Sequence, residues 1–452
     1  MGYDLIVIGG GPAGLSAVRA ARWAKASVVL INDGPAGGDC TFTGCIPSKT
    51  LLAAGRQGAS FDEAMARVTA TVDRIADTES PEALARDGID FIDGRARLVG
   101  PNAVEVDGRS LTGTKIVVAT GTAPAVPPIT GLAESKPLTT ENLFSLASQP
   151  SRLAIIGGGA IGCEMAQAFS QLGTSVTLIE AASGLLAKEE PEASEVIETA
   201  MRDRGVSIHT GAKVHAVRRV EGTVLIETSS GEIESDEVLV AVGRTPITAG
   251  LGLEAVGVDL DERGFITTDD RLATSVPTIY AAGDITGKLA FTGAADEMGR
   301  LAVGNALKTG IRGRYRTDHT PWVTFTAPEV ARIGLSEAEA AARRGTRVVF
   351  LPMSEMDRAI TDGAEYGFIK VVTGPRRLTR HLGGGVVLGA TIVAPRAGEM
   401  INEIALAMRT RAFAGRLAQT VHAYPSWGYG IQKAMGQLFG EVEGRRWRPA
   451  RR

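Results

Sequence analysis

"DLIVIGGGPAGLSAVRAARWAKASVVLIND", residues 4–33, reads as a buried strand, a glycine turn, an alanine-rich helix and a second strand. Gly9, Gly11 and Gly14 give the spacing G-x-G-x-x-G at the first turn. The first glycine permits the turn, and the second lets the backbone approach a pyrophosphate. The third packs helix on strand, so that the helix's first N–H groups face the anion. With strand, helix and second strand all in place around it, this spacing predicts a dinucleotide site. Asn32, with Asp33 beside it, stands where a carboxylate would take the ribose. A neutral amide bonds a ribose more weakly than an ionised acid does.

The device recurs in "RLAIIGGGAIGCEMAQAFSQLGTSVTLIEAAS", residues 152–183, with Gly157, Gly159 and Gly162. Here the second strand ends in Glu180, whose carboxylate suits ribose hydroxyls and repels a 2′-phosphate. Ala181, Ala182 and Ser183 follow, with no arginine to receive one, so NADH is expected over NADPH. Two dinucleotide sites in one chain point to two cofactors exchanging electrons. A third block, "LATSVPTIYAAGDITG" (272–287), is a short apolar strand ending in Gly283-Asp284, which by itself reads as a surface turn.

The rest of the composition narrows the class. At 452 residues the chain is long enough for two to four domains. A net charge of -3, with 22% charged residues, gives no polyanion-binding excess, so no nucleic-acid partner is expected. The basic end "GRRWRPARR" (444–452) is expected to be a solvated tail. The apolar run before Gly9 is too short for a signal peptide or a membrane span. A cytoplasmic protein without a membrane partner is expected.

Three cysteines occur, and two of them, Cys40 and Cys45, lie in "GGDCTFTGCIPSKT", residues 37–50. Zinc needs further ligands, and the histidines (209, 215, 319, 381, 422) lie far along the chain, so no metal site is expected. A structural disulfide is disfavoured in that compartment. What remains is a redox pair at the start of a helix, with Pro47 in its first turn and a thiolate favoured by the helix N-terminus. Cys163, inside the second glycine turn's helix, reads as a small packed residue.

"GGDCTFTGCIPSK" resembles the active-site segment of the FAD-dependent pyridine nucleotide–disulfide oxidoreductases, the group of dihydrolipoamide dehydrogenase, glutathione reductase and mercuric reductase. The resemblance extends through both fingerprints, "VVATGTAP" (117–124), "AVGRTP" (241–246), "PTIYAAGD" (277–284), "VTFTAPEVARIGLSEAEA" (323–340) and "GATIVAPRAGEMINEIALAM" (389–408). It implies an α/β fold of two Rossmann-like domains plus a C-terminal α+β dimerisation domain. FAD is assigned to 1–144 and 270–320, NAD(P) to 145–269, and the interface to 321–452. Hydride then passes from nicotinamide to flavin and on to a Cys40–Cys45 disulfide. By resemblance Cys45 is the flavin-proximal thiolate, and Cys40 is the outer sulfur that exchanges with substrate. Lys49 lies near flavin N5, balanced by Glu164, and Asp284 becomes a ligand of the ribityl chain. The cofactor contacts implied are Gly9, Gly11, Pro12, Ala13, Gly14, Asn32, Gly38, Lys49, Ala96, Thr120, Gly121, Gly157, Gly159, Ala160, Ile161, Gly162, Glu180, Val214, Gly243, Arg244, Gly283, Asp284 and Thr292.

The sequence departs from that family at "VHAYPSWGYG", residues 421–430. Disulfide reductases of the group place there a second histidine, which takes a thiol proton across the dimer, and a glutamate that orients it. His422 keeps the first histidine, Tyr424 replaces the second, and Tyr429 stands in the glutamate's place. Tyrosine, with a pKa near 10, is a poor base and a good donor. His422 is the alternative acceptor, though an extended segment can point it elsewhere. Tyr424, "GGDC" and "DRA" (357–359) lean toward mercuric reductases. The lack of any cysteine after Cys163 leans against them. The expected activity is an NADH-dependent flavoenzyme reducing a small disulfide, a thiol-bound metal or a quinone, as a homodimer with a shared site. The alternatives are a dihydrolipoamide dehydrogenase variant, a mercuric reductase lacking the terminal cysteine pair, and an FAD-holding redox-sensing dimer.

Overall fold

The opening residues form β1 (Gly2–Ile8), α1 (Pro12–Trp23) and β2 (Val28–Asn32), with the strands parallel from Leu5↔Val28 to Ile8↔Ile31. Leu5, Ile6 and Val7 are wholly buried, as a parallel strand covered on both faces must be. Gly9 turns at φ +105°, and a Cβ there would lie 2.3 Å from the Ala119 carbonyl oxygen. A Cβ on Gly14 would lie 1.8 Å from the Gly9 carbonyl oxygen. Both obstacles are backbone, so neither position admits a side chain. The second fingerprint repeats the geometry, with Gly157 at φ +112° and Gly162 pressed on its carbonyl at 1.8 Å.

The computed structural model describes residues 2–308 and 312–451. It divides into two units. The first comprises Met1–Pro128, Leu132–Pro150 and Leu239–Thr317. Its sheet runs Asp90–Asp93, β2, β1, Arg109–Val118, Ala103–Val106, Ala96–Gly100, with Ile279–Ala281 also on Arg109–Val118. That central strand pairs antiparallel with Ala103–Val106 at its start and parallel with β1 and Ile279–Ala281 at its end. Ile8 and Ala281 both face Val118 in register. The loops after all three strands therefore open at one carboxyl edge, where ligands of such sheets bind. Helix Thr292–Ala306 crosses α1 closely, since a Cβ on Gly299 would sit 2.2 Å from the Ala13 carbonyl oxygen.

The second unit comprises Ile129–Gly131, Ser151–Val238 and Asp318–Arg452. Its parallel strands Ser207–Thr210, Ser175–Glu180 and Arg152–Ile156 lie in that order, flanked by helix Ala160–Gln171. A meander follows over Val214–Val220, Thr223–Thr228 and Gly231–Ser235. The C-terminal part is a six-stranded antiparallel sheet. Its central strand, Phe368–Gly374, is buried throughout, and helices Ala397–Arg409 and Tyr429–Gly436 help bury it. The expected class, two dinucleotide-type α/β parts and a C-terminal α+β part, is the fold observed.

The C-terminal end corrects its expectation. Arg448–Pro449 is not a solvated tail but an edge strand, pairing antiparallel with Arg347–Pro352. Arg448 grips Glu337 with both terminal nitrogens, one at 2.8 Å, and Arg347 stacks on Trp447 at 4.1 Å. The basic residues have carboxylate and aromatic partners that composition alone cannot display.

Candidate active site at the paired cysteines

Two short elements bring the cysteines together. α2 (Gly38–Phe42) carries Cys40, and α3 (Cys45–Arg56) starts on Cys45. Between them a Cβ on Gly44 would lie 2.7 Å from the Asp39 carbonyl oxygen, so the connection is tightly folded. Both cysteines are half-buried and stand as thiols. Thr292, the first residue of its helix, shares its hydroxyl between them. Oγ1 lies 3.1 Å from Cys45 Sγ and donates to Cys40 Sγ at 3.4 Å. Thr292 is also one of the residues expected to contact the cofactor. Hydrogen bonding to Cys45 and burial push the Cys40 thiol pKa up. The Cys45 charge adds to that rise, Thr292 opposes it, and the Glu79 carboxylate raises it further.

The same unit builds a polar chain that sequence reasoning found only in part. Strand Arg244–Pro246 pairs antiparallel with Thr122–Pro124, with Arg244 opposite Pro124, and its long side chain reaches back to Thr122. Its Nε donates to Thr122 Oγ1 at 2.6 Å, and Nη2 donates to the Thr122 carbonyl at 2.6 Å and to Asp39. Thr122 Oγ1 in turn donates to Asp284 Oδ2 at 3.2 Å. Burial raises the Asp284 pKa, while Arg244 and the Thr122 bond oppose it. Asp284 is expected at the flavin, and Gly243 and Arg244 at a cofactor; Arg244 and Asp284 share the Thr122 hydroxyl. Asp39 and Thr122 were missed, because their pairing depends on strands more than 100 residues apart.

The residues present fit a bound dinucleotide at the first fingerprint. Nothing lies within 4 Å of a Cβ position on Gly11, whereas one on Gly38 would touch Gly11 Cα at 2.8 Å. The turn is thus open on one side and lined by glycine backbone on the other. Asn32 Oδ1 accepts from Gly10 N–H at 2.7 Å, and Nδ2 donates to the carbonyls of Gly34 and Pro35. The amide braces its own loop. Gly121 turns at φ +71°, Thr120 Oγ1 donates to the Ile247 carbonyl, and Ala96 is buried in its strand. Lys49, half-buried on α3, donates to Ser48 Oγ at 3.3 Å.

At the second fingerprint Gly159 is equally open. Ala160 and Ile161 begin the helix, and Val214 begins the meander. Glu180 Oε2 accepts from Gly158 N–H and Oε1 from Ala182 N–H, both at 2.6 Å. Glu164 is 4% exposed and accepts from Phe325 N–H at 2.8 Å, so it is no solvated surface charge. Cys163 is the packed residue expected: wholly buried, with a thiol pKa pushed up by that burial.

In the second unit, Tyr424 donates to Asp357 Oδ2 at 2.5 Å and meets Tyr429 edge-on at 5.6 Å. The Asp357 bond raises the tyrosine's pKa, so it is a donor over the neutral range. Asp357 opens the "DRA" triplet, a signal that was legible, but its partner was not. His422 is tied on both nitrogens, Nε2 to Glu403 Oε2 at 2.9 Å and Nδ1 to the Thr420 carbonyl at 2.9 Å.

The chain belongs to the pyridine nucleotide-disulphide oxidoreductase family. Residues 3–299 match that family's model, and residues 320–435 match its dimerisation domain. It is 34% identical to a mercuric reductase of Bacillus cereus, over 96% of this chain and 71% of that one. It is 35% identical to a dihydrolipoyl dehydrogenase of Chlamydia pneumoniae, over 94% of each. Among solved structures, LpdA from Mycobacterium tuberculosis superposes with a TM-score of 0.88 at 30% identity, covering 97% of this chain and 100% of that one. The Cu(II) complex of the HOCl-induced flavoprotein disulfide reductase RclA from Escherichia coli gives 0.88 at 30% identity, covering 96% and 99%. The family is FAD-dependent and uses NAD(P)H. Among the described residues no helix is long and apolar enough to cross a membrane.

Proposed function

We propose that this chain is an NADH-dependent reductase that passes two electrons through Cys45 and Cys40 to a small acceptor, as a homodimer. The observation that carries this reading is the Thr292 hydroxyl within 3.4 Å of both sulfurs, at the start of a helix. Bound FAD supplies the centre that takes hydride from the nicotinamide and delivers the electron pair onward. The chain's own residues do the rest. Cys45 at the α3 N-terminus holds the thiolate charge. Cys40 meets the acceptor; as it attacks it hands its proton to the Cys45 thiolate, and that proton passes on to the departing thiolate. With an acceptor disulfide, the Cys40 sulfur displaces one thiol and forms a mixed disulfide. Cys45 then displaces the second thiol and closes the Cys40–Cys45 bond, so NADH, one proton and the disulfide give NAD and two thiols. Tyr424 serves as an uncharged hydrogen-bond donor to the partner subunit's site by turning its single hydroxyl proton there from Asp357. The flavin is assigned to 1–144 and 270–320, the nicotinamide to 145–269 and the interface to 321–452, in the cytoplasm.

A metal-ion acceptor is the second reading. It is supported by relatives named mercuric reductase and by the RclA Cu(II) complex, and two soft thiolates suit such ions.

Anaerobic NADH should produce a long-wavelength absorption band that Cys45→Ser abolishes. A spectrum unchanged by excess NADH and NADPH would favour an FAD-holding sensor. Glu180→Ala should raise the KM for NADH by about tenfold, the weight of a charge-assisted hydrogen bond, and hardly move that for NADPH. Equal effects would remove the NADH preference. Tyr424→Phe should slow reduction of every accepted substrate, and unchanged rates would strip the hydroxyl of its role.

A further inference from the structure

Beside Cys40 opens a cleft of ≈ 210 Å³ whose walls include Leu15 and Arg19 of α1, Thr41, Glu79 and Asp296. Three of these side chains carry charge, and the structure treats them differently. Arg19 is exposed at the rim, where water and salt weaken its reach. Asp296 is paired with Arg300 at 2.5 Å, so its charge is balanced locally. Glu79 is half-buried and held in place. Its Oε2 accepts from Thr41 Oγ1 at 2.8 Å, and Thr41 is 3% exposed and adjacent to Cys40 in the chain. On its other side Gly37, at φ +128°, presses so close that a Cβ there would lie 2.7 Å from the same oxygen. A fixed, partly desolvated carboxylate thus faces the cleft of the sulfur that meets the acceptor.

We infer that Glu79 is a specificity-determining residue of the Cys40 cleft, admitting neutral and cationic thiol-reactive acceptors and disfavouring anionic ones. This rests on the reading of Cys40 as the acceptor-facing sulfur. A fixed charge a few ångströms from the incoming group is felt through a lower dielectric than a solvated one, so Glu79 outweighs Arg19. An acceptor carrying carboxylates must bring them against Glu79 as its sulfur reaches Cys40. An ammonium or amide there is attracted or indifferent.

Alkylation tests this without any turnover. In the Cys45→Ser holoenzyme Cys40 is the accessible thiol, Cys163 being wholly buried. The ratio of its rates with neutral iodoacetamide and anionic iodoacetate, mapped by mass spectrometry, reads the local field. Glu79→Gln keeps the Thr41 hydrogen bond and should lower that ratio about three- to tenfold. Glu79→Asp should preserve most of it, and 1 M salt should shrink the wild-type ratio. A ratio unmoved by Glu79→Gln overturns the inference. If that variant does not fold, a wild-type ratio insensitive to salt overturns it instead. In turnover, Glu79→Gln should raise the rate with the dianionic 5,5′-dithiobis(2-nitrobenzoate), relative to wild type, more than the rate with cystamine. Reduction of neither disulfide would sink the disulfide-acceptor reading while leaving the alkylation ratio to decide Glu79.

Discussion

His422 and Tyr424 are two residues apart, yet their surroundings give them opposite electrostatic fates. Burial alone would lower the His422 pKa, but the Glu403 carboxylate on Nε2, with Thr420 and Gln432 on Nδ1, raises it overall. A histidine so tied spends both nitrogens on its own chain. Its contribution is to stability, and the sign follows from linkage. A folded-state pKa above the unfolded 6.5 gives stabilisation that is full below about pH 6.5 and lost as pH rises through the folded value. His422→Gln should therefore destabilise most at pH 5.5 and least at pH 9, read as denaturation midpoints along a pH series. A deficit that grows with pH would contradict the Glu403 pairing. The histidine's presence was legible in the sequence; its partner, nineteen residues earlier on helix Ala397–Arg409, was not.

At the scale of elements, the two glycine turns were fully legible, because the obstacles are local backbone that the turn itself creates. The glycines nonetheless divide into two physical kinds. Gly14 is required by the fold, its absent Cβ standing 1.8 Å from the Gly9 carbonyl oxygen. Gly11 has nothing within 4 Å and is required by whatever enters the turn. Gly14→Ala should therefore cost more than about 2 kcal/mol or prevent folding, as forced overpacking against backbone does. Gly11→Ala should fold with a near-normal midpoint and retain less flavin through dialysis, measured by the ratio of absorbance at 450 and 280 nm. Loss of folding in both would erase the distinction. The Asp39–Arg244–Thr122–Asp284 chain lay beyond sequence reading for the converse reason. It is made by the pairing of Arg244–Pro246 with Thr122–Pro124, whose register no local pattern sets.

At the scale of the whole chain, the least legible feature is the ionic centre of the second unit, where residues from positions 190 to 451 converge. Lys370, on the fully buried strand Phe368–Gly374, places Nζ 3.2 Å from Glu190, 2.6 Å from Glu192 and 3.1 Å from Glu337. Glu337 is also gripped by Arg448 and accepts from Arg451 N–H at 3.0 Å, so the last strand closes over it. A lysine in an otherwise apolar strand reads from sequence as an error or an edge, because its partners are more than thirty positions away. Removing it by Lys370→Met leaves Glu190 and Glu337 buried without their shared cation, a loss of about 3–5 kcal/mol. Glu337 itself gives the sharper test. Burial would raise its pKa, but Arg448, Lys370 and the Arg451 amide hold it at about 2 against an ordinary 4.5. A depressed carboxylate pKa stabilises the fold above about pH 4.5 and loses that contribution as pH falls toward 2. The stability difference between wild type and Glu337→Gln should thus be full at pH 6, begin to shrink below pH 4.5 and nearly vanish at pH 2. Guanidinium midpoints measured across that range decide it, and a difference that stays constant down to pH 2 would mean that Glu337 is not the carboxylate on which Lys370 and the C-terminal strand converge.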